Sequence, residues 1–221
     1  MFITFEGIEG TGKSTQILKV KEYFESKGRE VLLTLEPGGS RIGQELRKML
    51  LHVDNDDITP ITELFLYLAD RAQHVAQVIR PALEEGKVVL CDRFADSTVV
   101  YQGYGRGIDT ATLQHLNEVA VDSMWPDLTI LLDIDPEIGL KRATLRNLEE
   151  GKAKEEGRFE AEHISFHNRI REGYQTWAAL NKDRIKSISA NGTPDEVFDG
   201  IKSLIEAFPS HDKAAESLQK E

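Results

Sequence analysis

Short apolar runs alternate with longer amphipathic segments along the chain. Each apolar run is nearly continuous in hydrophobic residues, which is typical of strands buried on both faces of a parallel sheet. Two of the longer segments end at a glycine, the residue favoured just past a helix C-terminus. The predicted strands are Phe2–Glu6, Val31–Leu35, Val88–Asp92, Leu128–Ile134 and Ile185–Ala190, and the predicted helices are Ser14–Lys27, Pro60–Glu85, Asp109–Met124, Pro136–Asn147, Glu160–Asn181 and Pro194–Phe208.

The strand and helix alternation predicts an α/β three-layer sandwich, a five-stranded parallel sheet flanked by helices on both faces. Ligands of such a fold gather at the carboxyl ends of the strands. The charged, glycine-punctuated residues 148–158 are predicted to be a mobile surface loop, and the Gly103–Gly107 segment a flexible turn. We expect one domain over residues 1–208, and a polar tail without assigned function over residues 209–221.

Charge and composition argue against a nucleic-acid-binding, membrane-spanning or secreted protein. The chain has 221 residues with 27 Lys and Arg against 38 Asp and Glu, a net charge of −11. Such a surface repels nucleic acid and anionic lipid, so a polyanion would have to be bound in a local pocket. No apolar run reaches bilayer length, and Met1–Glu6 lacks the basic region of a secretion signal. The single cysteine, Cys91, lies in an apolar run, so we expect a buried thiol and a cytoplasmic protein.

The segment Gly7–Ser14 satisfies the phosphate-loop pattern G-x-x-x-x-G-K-[ST] and lies between a predicted strand and a predicted helix, which is the context the pattern requires. Backbone N–H groups of such a loop cradle phosphates, Lys13 reaches the β and γ phosphates, and Ser14 holds Mg²⁺. The predicted ATP-binding residues here are Gly7, Ile8, Glu9, Gly10, Thr11, Gly12, Lys13, Ser14 and Thr15.

A phosphate loop serves phosphotransferases, GTPase switches and motor-type ATPases alike. A GTPase needs an N-K-x-D segment after a later strand, whereas Asn181-Lys182-Asp183 lacks the spacer and precedes the strand. An ATPase needs a carboxylate at the end of an apolar strand for the magnesium shell, and Asp92 supplies one. A P-loop ATPase module that cycles between partner-bound states therefore stays open.

Three arginines are placed for a second phosphate. Arg93 directly follows Asp92 at the predicted carboxyl edge of the sheet, and Arg47 and Arg71 lie on segments that lead to the same edge. A single arginine is more often part of a solvated helix face. Three that converge favour a kinase whose acceptor is itself a phosphate, because guanidinium groups bind phosphate bidentately and offset the repulsion between two polyanions.

The segment from Glu137 to Glu160 carries six basic and six acidic residues, so the acidic surplus of the chain vanishes there. An arginine delivered by a closing lid would stabilise charge on the transferred phosphoryl group and exclude water. A solvated loop whose opposite charges pair loosely is an equal alternative.

Seven motifs occur in order along residues 1–208: Gly7–Ser14, Glu36–Gly39, Asp70–His74, Asp92–Thr98, Tyr101–Gly103, Pro126–Thr129 and Arg158–Glu160. Together they resemble bacterial thymidylate kinase. The resemblance implies transfer of the γ-phosphoryl group of ATP to dTMP, which gives dTDP and ADP with Mg²⁺ as a step of dTTP synthesis. It also implies a lid over about residues 142–160, a cis Glu36–Pro37 bond, and a homodimer packed through the Pro60–Glu85 helix.

The resemblance implies a role for each matching residue. Glu9 is expected to bind the 3′-hydroxyl and Tyr101 to crowd the 2′ position, so that ribose is rejected. Tyr67 stands where the family often has phenylalanine, and Leu35 where it has arginine. The implied catalytic residues are Lys13, Arg93, Arg158 and, as second choice among the lid arginines, Arg146; Arg142 is placed on the ATP side; the implied substrate-binding residues are Glu9, Glu36, Pro37, Arg47, Tyr67, Arg71, Arg93, Ser97, Thr98, Tyr101 and Gln102; the implied metal ligands are Ser14 and Asp92.

The resemblance leaves a second kinase reading open beside the ATPase module. The acceptor could be another deoxynucleoside monophosphate. A rate of ATP hydrolysis that is the same with every acceptor and without one would favour the ATPase module. Turnover with a different acceptor would favour this second kinase.

Overall fold

The computed structural model describes residues 1–151 and 155–208 and shows a five-stranded, all-parallel sheet in the order β2-β3-β1-β4-β5. The predicted α/β class and the five strands are confirmed, with β4 and β5 each one residue shorter than expected. The strands are β1 Phe2–Glu6, β2 Val31–Leu35, β3 Val88–Asp92, β4 Leu128–Asp133 and β5 Ile185–Ser189.

The register of β1 determines where the site lies. Phe5 is paired with Asp92 on β3 and with Ile130 on β4. All five residues of β1 are buried. Because the strands are parallel, Glu6 and Asp92 end at the same edge, and the loops that follow them meet there.

Helices cover both faces of the sheet, and several of them begin where the sequence supplies a start signal. Ser40, Thr59, Asp109 and Thr193 accept hydrogen bonds from first-turn amides, as N-cap residues do. The helices are α1 Lys13–Ser26, α2 Arg41–Leu51, α3 Pro60–His74, α4 Arg80–Glu84, α5 Ala95–Thr98, α6 Thr110–Val121, α7 Pro136–Glu149, α8 Ile164–Leu180 and α9 Pro194–Ala207.

The predicted helix Pro60–Glu85 is helical throughout but not regular. A π-helical stretch, Val75–Ile79, joins α3 to α4. Pro81 lies just beyond this stretch. Proline lacks the N–H of a regular helical turn, and its ring crowds the carbonyl four residues earlier. A widened turn immediately before Pro81 relieves both problems.

The prediction of a flexible turn at Gly103–Gly107 is wrong for Gly103–Gly105, whereas Arg106 and Gly107 do form the turn that leaves the helix. A π-helical stretch, Val99–Gly105, continues α5 and packs against α8. A Cβ on Gly105 would lie 2.7 Å from the Ile170 side chain, and one on Gly173 would lie 2.7 Å from Tyr104. These glycines therefore allow two helices to approach closely rather than allowing the chain to turn.

The predicted loop at residues 148–158 is shorter than expected at its start, because α7 continues to Glu149. Residues 155–163 then run in turns to the His163 cap of α8, so this helix begins four residues later than predicted. Residues 152–154 of the loop and the predicted tail, 209–221, lie outside the described residues.

Two apolar layers enclose the sheet. The larger one joins β1, β3 and β4 to α1, α8 and α9, and the smaller one joins the other face to the π-helical stretch before α4. Cys91 lies in the smaller layer and is fully buried, as the sequence predicts. Among the described residues, no helix has the length and hydropathy needed to cross a membrane.

Candidate active site

A cavity of about 680 Å³ opens at the carboxyl edge of the sheet. Most of the residues that the sequence singles out line it, although they come from six separate segments of the chain. The predicted residues that line the cavity are Glu9, Gly10, Thr11, Gly12, Lys13, Ser14, Thr15, Glu36, Pro37, Arg47, Tyr67, Arg71, Asp92, Arg93, Ser97, Thr98, Tyr101, Gln102, Arg142 and Arg146.

The phosphate loop forms one wall and packs backbone to backbone against α7. Gly10 has a φ of 72°, and a Cβ there would lie 1.9 Å from the Gly139 carbonyl oxygen. A Cβ on Gly139 would in turn lie 2.5 Å from the Glu9 carbonyl oxygen. Neither position accepts a larger residue, so the two glycines set the separation between the loop and α7.

Lys13 folds back over the loop. Its Nζ donates hydrogen bonds to the carbonyl oxygens of Gly7, at 3.1 Å, and Ile8, at 2.9 Å. Gly7 and Ile8 thus contribute backbone acceptors to Lys13 but do not line the cavity. Burial lowers the pKa of Lys13 to about 8, with nearby Arg93 adding to the effect. Lys13 remains mostly cationic at neutral pH, and a bound phosphate would stabilise this charge further.

Ser14 and Asp92 form the candidate magnesium site. The Ser14 hydroxyl donates to Asp92 Oδ2 at 3.4 Å. Within residues 1–151 and 155–208, no group of three or more His, Cys, Asp or Glu side chains could hold a metal unaided. Mg²⁺ in nucleotide sites takes few protein ligands and completes its shell with phosphate oxygens and water. A hydroxyl and a carboxylate beside a phosphate loop fit that coordination.

Arg93 is held in an unusual backbone conformation at the turn after β3. Its φ is 66°, in the left-handed region, and its N–H donates to the Phe5 carbonyl. The guanidinium donates to Glu9 Oε1 at 2.9 Å and to the Tyr174 hydroxyl at 3.2 Å, and it lies over the Tyr101 ring. The turn aims the cation into the cavity, and its partners fix it there.

Glu6 lies beneath this turn and is fully buried. Its carboxylate accepts from the Phe94 N–H at 2.8 Å, the Ser97 hydroxyl at 2.6 Å and the Tyr174 hydroxyl at 2.7 Å. Burial, with Asp96 nearby, raises the pKa of Glu6 to about 7. No motif distinguishes Glu6 from an ordinary strand residue. Its three hydrogen-bond donors come from distant segments of the chain, so the sequence alone did not indicate its role.

Glu9 lies opposite Arg93 on the cavity floor. Burial alone would raise the pKa of Glu9, but His167, Arg93, Lys13 and Tyr101 outweigh burial and lower it. The Tyr101 hydroxyl donates to Glu9 Oε1 at 2.6 Å. His167 Nδ1 lies 3.4 Å from Glu9 Oε2, an ion-pair distance without hydrogen-bond alignment. Glu9 is thus an ionised acceptor.

Arg71 is fully buried at the far end of the cavity. Its Nε donates to Glu36 Oε2 at 2.9 Å, and one terminal nitrogen donates to Thr98 Oγ1 and to Asn117 Oδ1, both at 2.8 Å. The Glu36–Pro37 bond is cis, as the resemblance implies. With three protein acceptors around it, Arg71 presents a donor of fixed direction.

Arg47 lies above this wall and is bound on two sides. Its guanidinium forms a bidentate ion pair with Glu156, at 3.1 and 3.0 Å, and donates to the Pro37 carbonyl at 3.0 Å. The two guanidinium nitrogens that bind the Glu156 carboxylate have the spacing needed to bind two oxygens of a phosphate group. The cavity therefore has a phosphate loop at one end and a guanidinium fork, held by a carboxylate, at the other.

The comparisons with known proteins agree with this arrangement. A family model described as Thymidylate kinase matches residues 5–201. The chain belongs to the thymidylate kinase family. The thymidylate kinase of Maridesulfovibrio salexigens is 68% identical over 205 residues, which cover 93% of this chain and 94% of that protein. That of Oleidesulfovibrio alaskensis is 63% identical, with 93% of this chain and 97% of that protein covered.

A solved structure shows the same fold. The crystal structure of thymidylate kinase from Ehrlichia chaffeensis superimposes with a TM-score of 0.72 at 30% identity, over 93% of this chain and 98% of that chain. Thymidylate kinases are ATP-dependent phosphotransferases that phosphorylate dTMP to dTDP, and this chain has that activity. The activity inferred from the motifs is thus confirmed, whereas the roles of single residues remain predictions.

The two arginines that the resemblance places in a lid, Arg158 and Arg146, differ in their surroundings. Arg158, the first choice from the sequence, is buried outside the large cavity, where it donates to the Leu50 carbonyl and, at 2.6 Å, to Glu63 Oε2. It borders a second cavity of about 400 Å³. The buried Glu63 carboxylate attracts a cation because an unpaired buried charge is costly. Arg146 instead lines the large cavity and is half exposed.

Some lining residues escaped the sequence analysis. Half of them come from the turns before α8, whose path across the cavity only the fold reveals, and the others from α2, the turn after β3 and the C-terminal end of α7. These residues are Leu51, Phe94, Glu150, Glu156, Phe159 and Glu160. Phe159 packs edge to face on Tyr101, with ring centroids 5.4 Å apart. The available signal was membership of two of the seven motifs, since Asp92–Thr98 contains Phe94, and Arg158–Glu160 contains Phe159 and Glu160.

The buried Glu6 predicts a pH-dependent stability difference. Because the pKa of Glu6 rises from 4.5 to about 7 on folding, its contribution to the free energy of unfolding falls as the pH rises between these values. Glu6→Gln removes this titration. The free energy of unfolding of the variant minus that of the wild type should therefore increase by about 3 kcal/mol as the pH rises from 4.5 to 7. Denaturant unfolding across that range measures this difference.

The exposed Glu22→Gln variant is the matched control and should follow the wild type at every pH. A Glu6→Gln difference that stays constant from pH 4.5 to pH 7 would contradict the pKa shift.

Proposed function

We propose that ATP binds at the phosphate-loop end of the large cavity and dTMP at the Arg71 end, so that phosphoryl transfer takes place between them. The observation that carries this proposal is the position of Arg47 and Arg93 in the same cavity as Lys13. A donor phosphate and an acceptor phosphate held at these points face each other. In-line transfer depends mainly on such positioning and on electrostatic stabilisation, and no covalent enzyme intermediate is required.

Lys13, Ser14 and Asp92 serve the nucleotide end of the cavity. Loop amides from Gly10 to Thr15 cradle the phosphates, and Lys13 moves from its loop carbonyls to the β and γ oxygens. Ser14 and Asp92 hold Mg²⁺, which neutralises charge on the phosphate oxygens when it is bound. The proximity of the Ser14 hydroxyl to Asp92 supports this assignment.

Arg47, Arg93, Glu9 and Tyr101 hold the acceptor nucleotide. The two arginines take its phosphate, and the Glu9 carboxylate accepts from the 3′-hydroxyl. Tyr101, which donates to Glu9, lies directly beside this sugar site, so its ring excludes a 2′-hydroxyl. A wall of this kind rejects ribose by a clash and by loss of hydration.

Arg71, Thr98 and Gln102 read the base. The three line one wall, and Arg71 already donates to Thr98. Tyr67 packs on the base. The other predicted substrate-binding residues, Glu36, Pro37 and Ser97, act by holding the arginines. Glu36 and the Pro37 carbonyl hold Arg71 and Arg47, and Ser97 links Glu6 to the Arg93 turn.

Arg146 is our first candidate for the lid cation that stabilises the transferred group, with Arg142 on the ATP side. Both line the large cavity from α7, whereas Arg158 is paired with Glu63 outside it. We assign residues 142–160 as the lid that closes over ATP. Closure of this kind excludes water from the reacting phosphates.

Arg146→Ala should lower kcat about 100-fold and change the KM for dTMP by less than about threefold, because it removes a charge that acts mainly in the transition state. Steady-state kinetics with ATP and dTMP measures both constants. Lys141→Ala, an exposed change on the same helix, is the control and should behave as the wild type. An unchanged kcat in Arg146→Ala with a large loss in Arg158→Ala would reverse the assignment.

The acceptor preference tests the function as a whole. ADP formation from ATP and Mg²⁺ should be fast with dTMP and at least about tenfold slower with dUMP, dCMP, AMP or no acceptor. Lys13→Ala should abolish the activity and serves as the blank. Hydrolysis of ATP that is indifferent to every acceptor would instead support the P-loop ATPase module, and faster turnover with another deoxynucleotide would support the second kinase reading.

We also propose a homodimer packed through α3 and its neighbours. The three contacting helices α2, α3 and α6 each expose a large apolar side chain, namely Ile42, Phe65 and Val119. Such side chains on adjacent helices favour an interface between copies of the chain. The reducing cytoplasm is the proposed compartment, since the sole thiol is buried and cannot form an internal disulfide.

Light scattering after size exclusion should give about twice the chain mass of 24.9 kDa. Phe65→Asp should shift the mass towards the monomer, because a charge at an apolar interface is not compensated. Leu180→Asp is the matched control, since Leu180 is exposed on a different helix, α8. A monomeric wild type, or equal dissociation in both variants, would contradict this interface.

A further inference from the structure

A buried carboxylate, Glu63, connects two arginines to the base-reading wall. It lies in the first turn of α3 and is 1% exposed. Gln102 Nε2 donates to Glu63 Oε1 at 2.9 Å. Arg106 donates to both oxygens at 3.3 Å, and Arg158 donates to Oε2 at 2.6 Å. None of the sequence motifs contains Glu63, and it does not line the large cavity.

The charge of Glu63 determines the orientation of the Gln102 amide. Burial would raise the pKa of Glu63, but Arg106, Gln102 and Arg158 outweigh burial and lower it. An ionised carboxylate only accepts hydrogen bonds, so only the amide NH₂ group can face it. The orientation of the Gln102 amide, with its nitrogen towards Glu63, therefore follows from the hydrogen-bonding capacity of the ionised carboxylate. The amide is planar, and Gln102 Oε1 lies on the side of the group away from Nε2.

An amide oxygen on the cavity wall distinguishes two pyrimidine edges. Thymine carries a donor, N3–H, beside an acceptor, O4, whereas cytosine carries an acceptor, N3, beside the N4 amino donor. Gln102 offers an acceptor, and Arg71, fixed by Glu36 and Thr98, offers a donor. This pair matches thymine at both points and opposes cytosine at both. Unpaired polar groups in a buried site reject such a substrate strongly.

We propose that Glu63 is a positioning residue that sets the preference for thymine over cytosine by fixing the Gln102 amide. It acts through Gln102 and does not touch the substrate. The inference rests on the proposed assignment of Arg71 and Gln102 to the base edge. It adds a reason for the polarity of that wall, which would otherwise depend on a freely rotating amide.

Glu63→Gln tests the proposal, because a neutral amide at position 63 allows the Gln102 amide to take either orientation. The kcat/KM ratio of dTMP to dCMP should fall about tenfold, mainly through a higher KM for dTMP. The ratio of dTMP to dUMP should change less than about twofold, since uracil has the same N3–H and O4 edge. Both kcat/KM values of a ratio are measured on one preparation. An unfolded fraction lowers both equally, so it does not change the ratio.

Glu162→Gln is the matched control. Glu162 also forms an ion pair with Arg106, at 2.5 Å, but Glu63 alone of the two contacts Gln102. The dTMP to dCMP ratio should stay at the wild-type value in this variant. If Glu63→Gln yields no folded protein, Glu63→Asp keeps the charge, shortens the reach to Gln102 and should lower the same ratio.

Two outcomes overturn the role of Glu63: an unchanged dTMP to dCMP ratio in the folded Glu63 variants, or an equal fall in Glu162→Gln. A wild-type enzyme with no preference between dTMP and dCMP would instead overturn the base-reading wall, and the role of Glu63 with it.

Discussion

The buried carboxylate of Glu6 is the contact on which the geometry of the site depends. It ends β1, the central strand, and accepts from Phe94, Ser97 and Tyr174. Those three bonds join the strand that enters the phosphate loop to the turn that carries Arg93 and to α8. Because an acceptor with three donors tolerates little displacement, the loop and the arginine keep one separation. The positive φ of Arg93 persists only because its surroundings determine it.

Most of the described arginines that line the cavity are paired with carboxylates, but the carboxylates lie on different parts of the fold. Glu9 and Glu36 hold Arg93 and Arg71 from the ends of sheet strands, so these cations are positioned before any ligand binds. The partner of Arg47 is Glu156, which lies in the turns between α7 and α8. Preorganised donors of this kind are more effective than mobile ones, because no reorganisation is needed during the reaction.

The sequence predicted what depends on neighbouring residues and missed what depends on distant ones. Buried parallel strands are continuous apolar runs, and a phosphate loop is a contiguous motif, so the fold and the nucleotide end of the cavity were accessible. The error at Gly103–Gly105 arose because glycine permits both turns and close helix contacts, and only distant side chains such as Ile170 decide between them. Arg158 was expected to be a catalytic cation from the resemblance, and no sequence pattern shows that the buried Glu63, 95 residues away, binds it.

These long-range pairs explain how an acidic protein manages a polyanionic reaction. The net charge of −11 would repel both nucleotides if it were uniform. Instead, the carboxylates of Glu36 and Glu9 keep Arg71 and Arg93 in place and oriented, while the loop amides and Lys13 add positive potential at one end of the cavity. A guanidinium held by one carboxylate on its far side still offers donors to a ligand, as Arg71 and Arg93 do. The carboxylates therefore position the guanidinium groups that we propose to bind the substrate, without removing their hydrogen-bonding capacity.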